Sequence, residues 1–208
     1  PHGATSCVLL LFRPAAQEPY ARIRIPESYK IGNTYSILVF GLKAEDFEYA
    51  YQMDGPADQA RGLLFNRKHT LLDPYAKAVT GQRNWGEKPE GGKDFVYKAR
   101  VVQSDFDWGR YRNLNYKFED LVIYEMHVRG FTKDASSGVK GGGTFEGLRQ
   151  KIPYLKDLGI NAVELMPIFE FDEMESARVV DGVQLYNYWG YNTVSFFAPN
   201  TSYAFHQE

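Results

Sequence analysis

The sequence predicts an incomplete, Ig-like β-sandwich over residues 1–99, a connector at 100–120, and over 121–208 the first part of a (β/α)8 barrel. Three observations carry this. Short apolar or alternating runs, punctuated by Gly and Pro, fill the first hundred residues. From Leu121 the pattern becomes strand, helix, strand. An aromatic-rich Tyr188-Trp189-Gly190-Tyr191 then precedes a further strand. A (β/α)8 barrel builds its active site from the C-terminal ends of all its strands. Only about the first three fit before Glu208.

The continuous apolar run Cys7–Phe12 reads as a strand. Ala21–Ile25 alternates polar and apolar, as a strand with one wet face does. Tyr35–Phe40 and Phe47–Met53 are rich in aromatic and β-branched residues, with Gly41 and Asp54-Gly55-Pro56 at their ends. Four strands are fewer than the roughly seven of a closed sandwich, which points to strands upstream of Pro1. Leu71–Ala76 pairs an apolar anchor with a proline-fixed turn, suiting a staple between the two pieces. Glu87–Asp94 is a polar Gly/Pro loop. Phe106, Trp108, Tyr111, Tyr116 and Phe118 crowd the connector, so it is expected to lie on the next domain with those rings covered.

Leu121–Val128 is nearly continuous in apolar character, as in a parallel strand covered on both sides. Thr144 can cap a helix whose Phe145, Leu148, Ile152, Leu155 and Leu158 recur at three- and four-residue spacing. Gly159 stops it, and Pro153 demands a kink or restart at about Lys151–Ile152. Asn161–Met166 and Val194–Phe197 are the second and third barrel strands, the first two joined by a right-handed crossover. A barrel this incomplete leaves an open edge, so the chain is expected to aggregate, to pair through that edge, or to belong to a larger molecule.

Composition excludes several function classes. A net charge of -2 supplies no general field for nucleic acid or anionic lipid, and Arg22, Arg24 and Lys140 read as a solvated face. No apolar run is long enough to cross a bilayer. The single Cys7 excludes an internal disulfide framework and favours a reducing, cytoplasmic setting. Its place in an apolar run ranks a buried hydrophobe above a reactive thiol. A Pro in place of an initiator Met indicates a processed or excised start, which leaves a lost signal peptide open.

Ile123–Thr132 (Ile-Tyr-Glu-Met-His-Val-Arg-Gly-Phe-Thr) resembles the first barrel strand of the isoamylase and glycogen-debranching branch of the alpha-amylase superfamily. Gly143–Leu148, Leu158–Ile168 and Asn187–Tyr191 continue the resemblance in order. Tyr49–Pro56 and Leu72–Ala78 are similar to the family's N-terminal glycogen-binding type of sandwich and its junction. Between Pro167 and Trp189 the chain inserts Glu170–Glu175 and a further loop, where branching enzymes have a short link. The resemblance therefore implies hydrolysis of α-1,6 branches in glycogen or related α-glucans over transfer. A non-catalytic α-glucan-binding or regulatory module and a branching or transglycosylating relative stand as alternatives.

Retaining glycosidases need two carboxyls about 5–5.5 Å apart. The family carries its nucleophile, its acid and a third carboxylate on the fourth, fifth and seventh strands, beyond Glu208, so no catalytic residue is assigned. The chain alone is expected to release no reducing ends. Glu125 and Glu164 lie within strands, where structural hydrogen bonding ranks above catalysis. Glu170, Asp172, Glu173 and Glu175 form an acidic loop. Some isoamylases bind calcium near the position of Glu170, but Asn200 and Glu173 depart from that pattern, and a plain solvated loop ranks above a calcium site. No cofactor is therefore assigned.

Tyr191 and Trp189 are the candidate substrate-binding residues. A sugar ring exposes apolar C–H faces, and a flat aromatic with a polar tip can stack on one. The resemblance puts Tyr191 at the floor of the subsite holding the scissile glucose, whereas Trp189 divides evenly between core packing and groove lining. His127 and Arg129 read by default as a satisfied core histidine and a structural arginine. Tyr20, Tyr29, Tyr35 and Trp85 could form a glucan-binding face, with core or junction packing at least as favoured. Oligomeric state is left open.

Overall fold

The computed structural model describes residues 2–87 and 95–205. The predicted loop at Glu87–Asp94 lies, from Lys88 on, outside the described residues. The fold is rich in β-structure and divides into two compact units: Pro1–Thr80 with Pro89–Gln103, and Gly81–Lys88 with Ser104–Glu208.

The first unit contains strands β1 (Ser6–Phe12), β2 (Ala21–Ile25), β3 (Lys30–Ile31), β4 (Thr34–Tyr35), β5 (Glu48–Asp54), β6 (Ala57–Asp58), β7 (Leu63–Leu64), β8 (Ala78–Val79) and β9 (Ala99–Arg100). Five of them form one antiparallel sheet in the order β2-β1-β5-β9-β8. From Cys7 on, strand β1 is apolar because both its faces are covered. Successive side chains of a strand point to opposite faces. Cys7 packs with Ile25 and Met53, and Leu9 and Leu11 pack with Phe47. Leu10 and Phe12 pack with Ala50 in a separate cluster.

The predicted strand at Tyr35–Phe40 needs correction. Only Thr34–Tyr35 joins a ladder, with Lys30–Ile31, and residues 36–40 belong to no strand. Tyr35, Ile37 and Val39 are nevertheless half-buried against the core clusters, while Leu38 and Phe40 point to solvent. Period-two patterning records an extended backbone with one covered face, not the presence of a hydrogen-bonding neighbour. Leu71 pairs with Tyr51, and the Tyr49 hydroxyl donates to Asp73 at 2.7 Å, so the Leu71–Ala76 segment is anchored on β5 within the first unit.

The second unit contains β10 (Ile123–Met126), α1 (Val128–Thr132), α2 (Phe145–Gln150), α3 (Ile152–Asp157), β11 (Ala162–Leu165), β12 (Phe169–Phe171), β13 (Arg178–Val180), β14 (Val183–Leu185) and β15 (Thr193–Pro199). β10 and β11 are parallel, in register from Ile123↔Ala162 to Met126↔Leu165. Asn161 fixes that register: its side chain accepts from the Val122 N–H and donates to the Asp120 carbonyl. The helix breaks where Pro153 required, with Lys151 between α2 and α3, and Gly159 closes α3 at φ +87°. The Thr144 hydroxyl accepts from the Gly147 N–H and donates to the Gly141 carbonyl. Thr144→Ala is therefore expected to cost about 1 kcal/mol, read as a lowered urea midpoint.

Three further expectations are corrected here. Val194–Phe197 does lie in a strand, β15, but β15 pairs antiparallel with β12 and does not join β10 and β11 as a third parallel strand. β12 follows β11 closely in sequence and offers its edge first. The continuous apolar character of Leu121–Val128 does not correspond to cover on both sides: Val122, Ile123 and Val163 are exposed, because a two-stranded sheet has no neighbour to shield them. Finally, Phe106, Trp108, Tyr111, Tyr116 and Phe118 are all exposed. Phe106, Trp108 and Tyr111 contact one another at ring-centroid distances of 4.9 and 5.7 Å instead of entering a core. No helix among the described residues is long and apolar enough to cross a membrane.

Candidate functional site

The candidate site grows from the residue after β10. The His127 ring stacks on Tyr188 at 4.1 Å and 9°, and its Nε2 lies 2.8 Å from the Tyr188 carbonyl oxygen. Its Nδ1 accepts from the Gly130 N–H at 3.1 Å, capping α1. A carbonyl can only accept, so Nε2 carries the proton and Nδ1 is the acceptor, which is the neutral imidazole. Burial pushes the His127 pKa down, in agreement. Trp85 is the hub beneath. It stacks on Tyr203 at 5.9 Å and 6°, meets Phe171, Tyr188 and His127 edge-on, and carries the Arg129 guanidinium 4.5 Å over its face.

Above this core the chain turns at Gly190, at φ +76°. A Cβ there would stand 2.5 Å from the buried Phe171 ring, so only glycine permits the approach. Trp189, on one side of the turn, touches Tyr188 and His127 by its edge and is 54% exposed. Tyr191, on the other, is 71% exposed, a flat ring facing solvent from a backbone pinned at the preceding residue.

The acidic run is not a solvated loop, which corrects the expectation. Glu170 and Glu173 are completely buried. Glu170 accepts from the Thr201 N–H at 2.7 Å, with the Thr201 hydroxyl 3.3 Å away. Glu173 accepts from the Ser202 hydroxyl at 2.6 Å and the Asn200 amide at 3.3 Å, and its second oxygen is buried without a hydrogen-bond partner. Asp172 accepts from the Gln82 amide and from the Met174 N–H. Burial raises both glutamate pKa values, that of Glu170 to about 8, and the neighbouring carboxylates push the same way. Calcium takes six to eight oxygens. Among the described residues no group of three or more acidic, histidine or cysteine side chains converges on one metal position.

No family model matches the chain. It is 44% identical to isoamylase 3, chloroplastic, of Oryza sativa subsp. japonica, over 84% of this chain and 23% of that protein. It is 34% identical to the glycogen debranching enzyme of Yersinia enterocolitica, over 94% of this chain and 30% of that protein. The chain belongs to the isoamylase and glycogen-debranching family. It spans about a quarter of the length of the curated relatives it matches. A solved pullulanase from Anoxybacillus sp. LM18-11, complexed with maltotriose, superposes with a TM-score of 0.68 at 26% identity, over 97% of this chain and 26% of that one.

In this isoamylase-family chain, the structure brings His127, Arg129, Trp189 and the Tyr188 backbone into one cluster and leaves Tyr191 at its exposed rim. His127 and Arg129 take the packing roles expected by default. Glu125 and Glu164 face each other in register on β10 and β11, exposed. Neither side chain accepts a hydrogen bond among the described residues, so the structural bonding expected of the two carboxylates is not met there. Of the four glucan-face candidates, Tyr35 and Trp85 are half-buried in packing and Tyr20 and Tyr29 are exposed. Sequence reasoning missed Gln82, Thr201, Ser202 and Tyr203. One signal was available: Glu170 and Glu173 are interleaved with Phe169, Phe171 and Met174, a pattern that argues for burial.

Proposed function

We propose that this chain carries the sandwich and the opening of the (β/α)8 barrel of a retaining glycoside hydrolase that cleaves α-1,6 branch linkages in glycogen or related α-glucans. Residues 1–99 are the glycogen-binding type of sandwich, 100–120 the connector, and 121–208 the start of the barrel, with β10 and β11 as its first parallel strands. The catalytic carboxylates belong to later strands, and no residue here is assigned to them. Tyr191 supplies the sugar-stacking surface and Trp189 the adjoining wall. The observation that carries this reading is Tyr191 itself, 71% exposed on a turn that Gly190 and Phe171 hold fixed. A buried, unpaired Cys7 supports a reducing, cytoplasmic setting; the plant relatives are named chloroplastic.

The test is hydrolysis of amylopectin and glycogen by the full-length protein containing this sequence, with the products sized. Release of linear chains supports debranching; longer or newly branched products would instead indicate transfer. Tyr191→Ala should lower kcat/KM by about tenfold or more, the equivalent of one stacked ring at roughly 1.4 kcal/mol. An unchanged kcat/KM would remove Tyr191 from the substrate site.

A further inference from the structure

We propose that Glu175 is a positioning residue that holds Tyr191 in its sugar-facing orientation through a hydrogen bond from Asn192. The inference rests on the reading of Tyr191 as the stacking residue. The segment 187–192 is anchored at three places. At its start, the Asn187 N–H donates to the Glu173 carbonyl at 2.9 Å and its side-chain amide donates to the Asp172 carbonyl at 3.3 Å. At Gly190 the backbone lies against the Phe171 ring. At its end, the Asn192 side-chain amide donates to Glu175 Oε2 at 2.5 Å. Tyr191 sits between the last two anchors. Beyond it the chain enters β15 at Thr193, opposite Phe171, so the Asn192–Glu175 bond fixes the residue between Tyr191 and that strand.

Glu175 is itself presented by a tightly determined turn. The Asp172 side chain accepts from the Met174 N–H, the Asp172 carbonyl accepts from the Glu175 N–H at 3.2 Å, and the Met174 carbonyl accepts from the Ala177 N–H at 3.0 Å. Ser176 closes the turn at φ +61°, a left-handed conformation that a non-glycine residue adopts only when its surroundings impose it. Gln82, buried at the base, holds Asp172 in place. The four acids therefore have distinct tasks. Glu170 and Glu173 face inward to residues 200–202, Asp172 builds the turn, and Glu175 reaches across to the aromatic segment.

The experiment measures kcat and KM on amylopectin, and maltotriose affinity by quenching of intrinsic tryptophan fluorescence, in the full-length protein. Glu175→Ala should raise KM and the maltotriose Kd about fivefold to tenfold, the worth of one solvent-exposed hydrogen bond, with kcat within about twofold. Glu175→Gln keeps an oxygen that accepts from Asn192 and should restore both. Asn192→Ala should match Glu175→Ala, and the double variant should be no worse than either single one. Because the pair is exposed, thermal midpoints should stay close to wild type; if Glu175→Ala fails to fold, the comparison of Asn192→Ala with Glu175→Gln decides. Equal losses in Glu175→Ala and Glu175→Gln, or additive losses in the double variant, would overturn the proposal. A Tyr191→Ala variant run alongside separates the two failures. If it weakens binding while Glu175→Ala does not, the positioning role falls and the stacking site stands. If Tyr191→Ala is silent, the stacking site itself falls.

Discussion

Tyr203→Ala is expected to destabilise the protein by about 3–5 kcal/mol, the cost of deleting a large ring from a core that cannot collapse around the gap. Tyr203 is completely buried. Its ring stacks on Trp85, meets Phe145 edge-on at 5.7 Å and Phe171 at 6.2 Å, and its hydroxyl lies 3.3 Å from His127 Nε2. Removing it strips a face from Trp85, which also packs on His127 and Tyr188 and so supports the turn that carries Tyr191. Tyr203→Phe keeps the ring and loses only the hydroxyl, and should cost about 1 kcal/mol or less. Urea denaturation of the two variants against wild type measures both. A Tyr203→Ala midpoint within about 1 kcal/mol of wild type would show that this aromatic cluster does not organise the unit.

Stability is expected to fall as pH rises from about 4.5 to about 8, and Glu170 is the principal cause. Burial, reinforced by Glu173 and Asp172, lifts its carboxyl to about 8 from the ordinary 4.5, against the opposing hydrogen bonds from Thr201. Between those limits the native state holds a proton that the unfolded chain has released. The stability from that proton is therefore complete below the unfolded pKa and is lost as pH climbs through the folded one, at a slope of up to about 1.4 kcal/mol per pH unit. Glu173 is shifted in the same direction. The hydrogen-bond pattern suits the protonated form: the Thr201 hydroxyl lies 3.1 Å from the Gln82 carbonyl, to which it can donate, leaving its lone pairs to accept from Glu170. Glu170→Gln reproduces that geometry without charge, since its amide oxygen can accept from the Thr201 N–H while its NH₂ donates to the hydroxyl. It should flatten the pH profile and leave the protein more stable than wild type at pH 8. Parallel profiles for the two proteins between pH 5 and 8 would contradict the assignment.

By itself the sequence determined whatever depends on neighbours in the chain. The apolar run at Cys7–Phe12, the Thr144 cap, the break before Pro153 and the stop at Gly159 all follow from period, capping chemistry and backbone restriction within a few residues, and the parallel β10–β11 pair from the strand–helix–strand order. The exposure of Tyr191 followed from a family pattern that is also local, an aromatic pair astride a glycine. The tertiary structure decided the pairing partner of β15, the burial of Glu170 and Glu173, and the exposure of the connector's rings. Each of these depends on residues distant in the chain: Gln82 reaches Asp172 across 90 positions, and Thr201 reaches Glu170 across 31. An acidic side chain enters a core only where such donors converge on it, and an aromatic stays outside where no surface is built to receive it. Neither condition is written in the local pattern of the residues themselves.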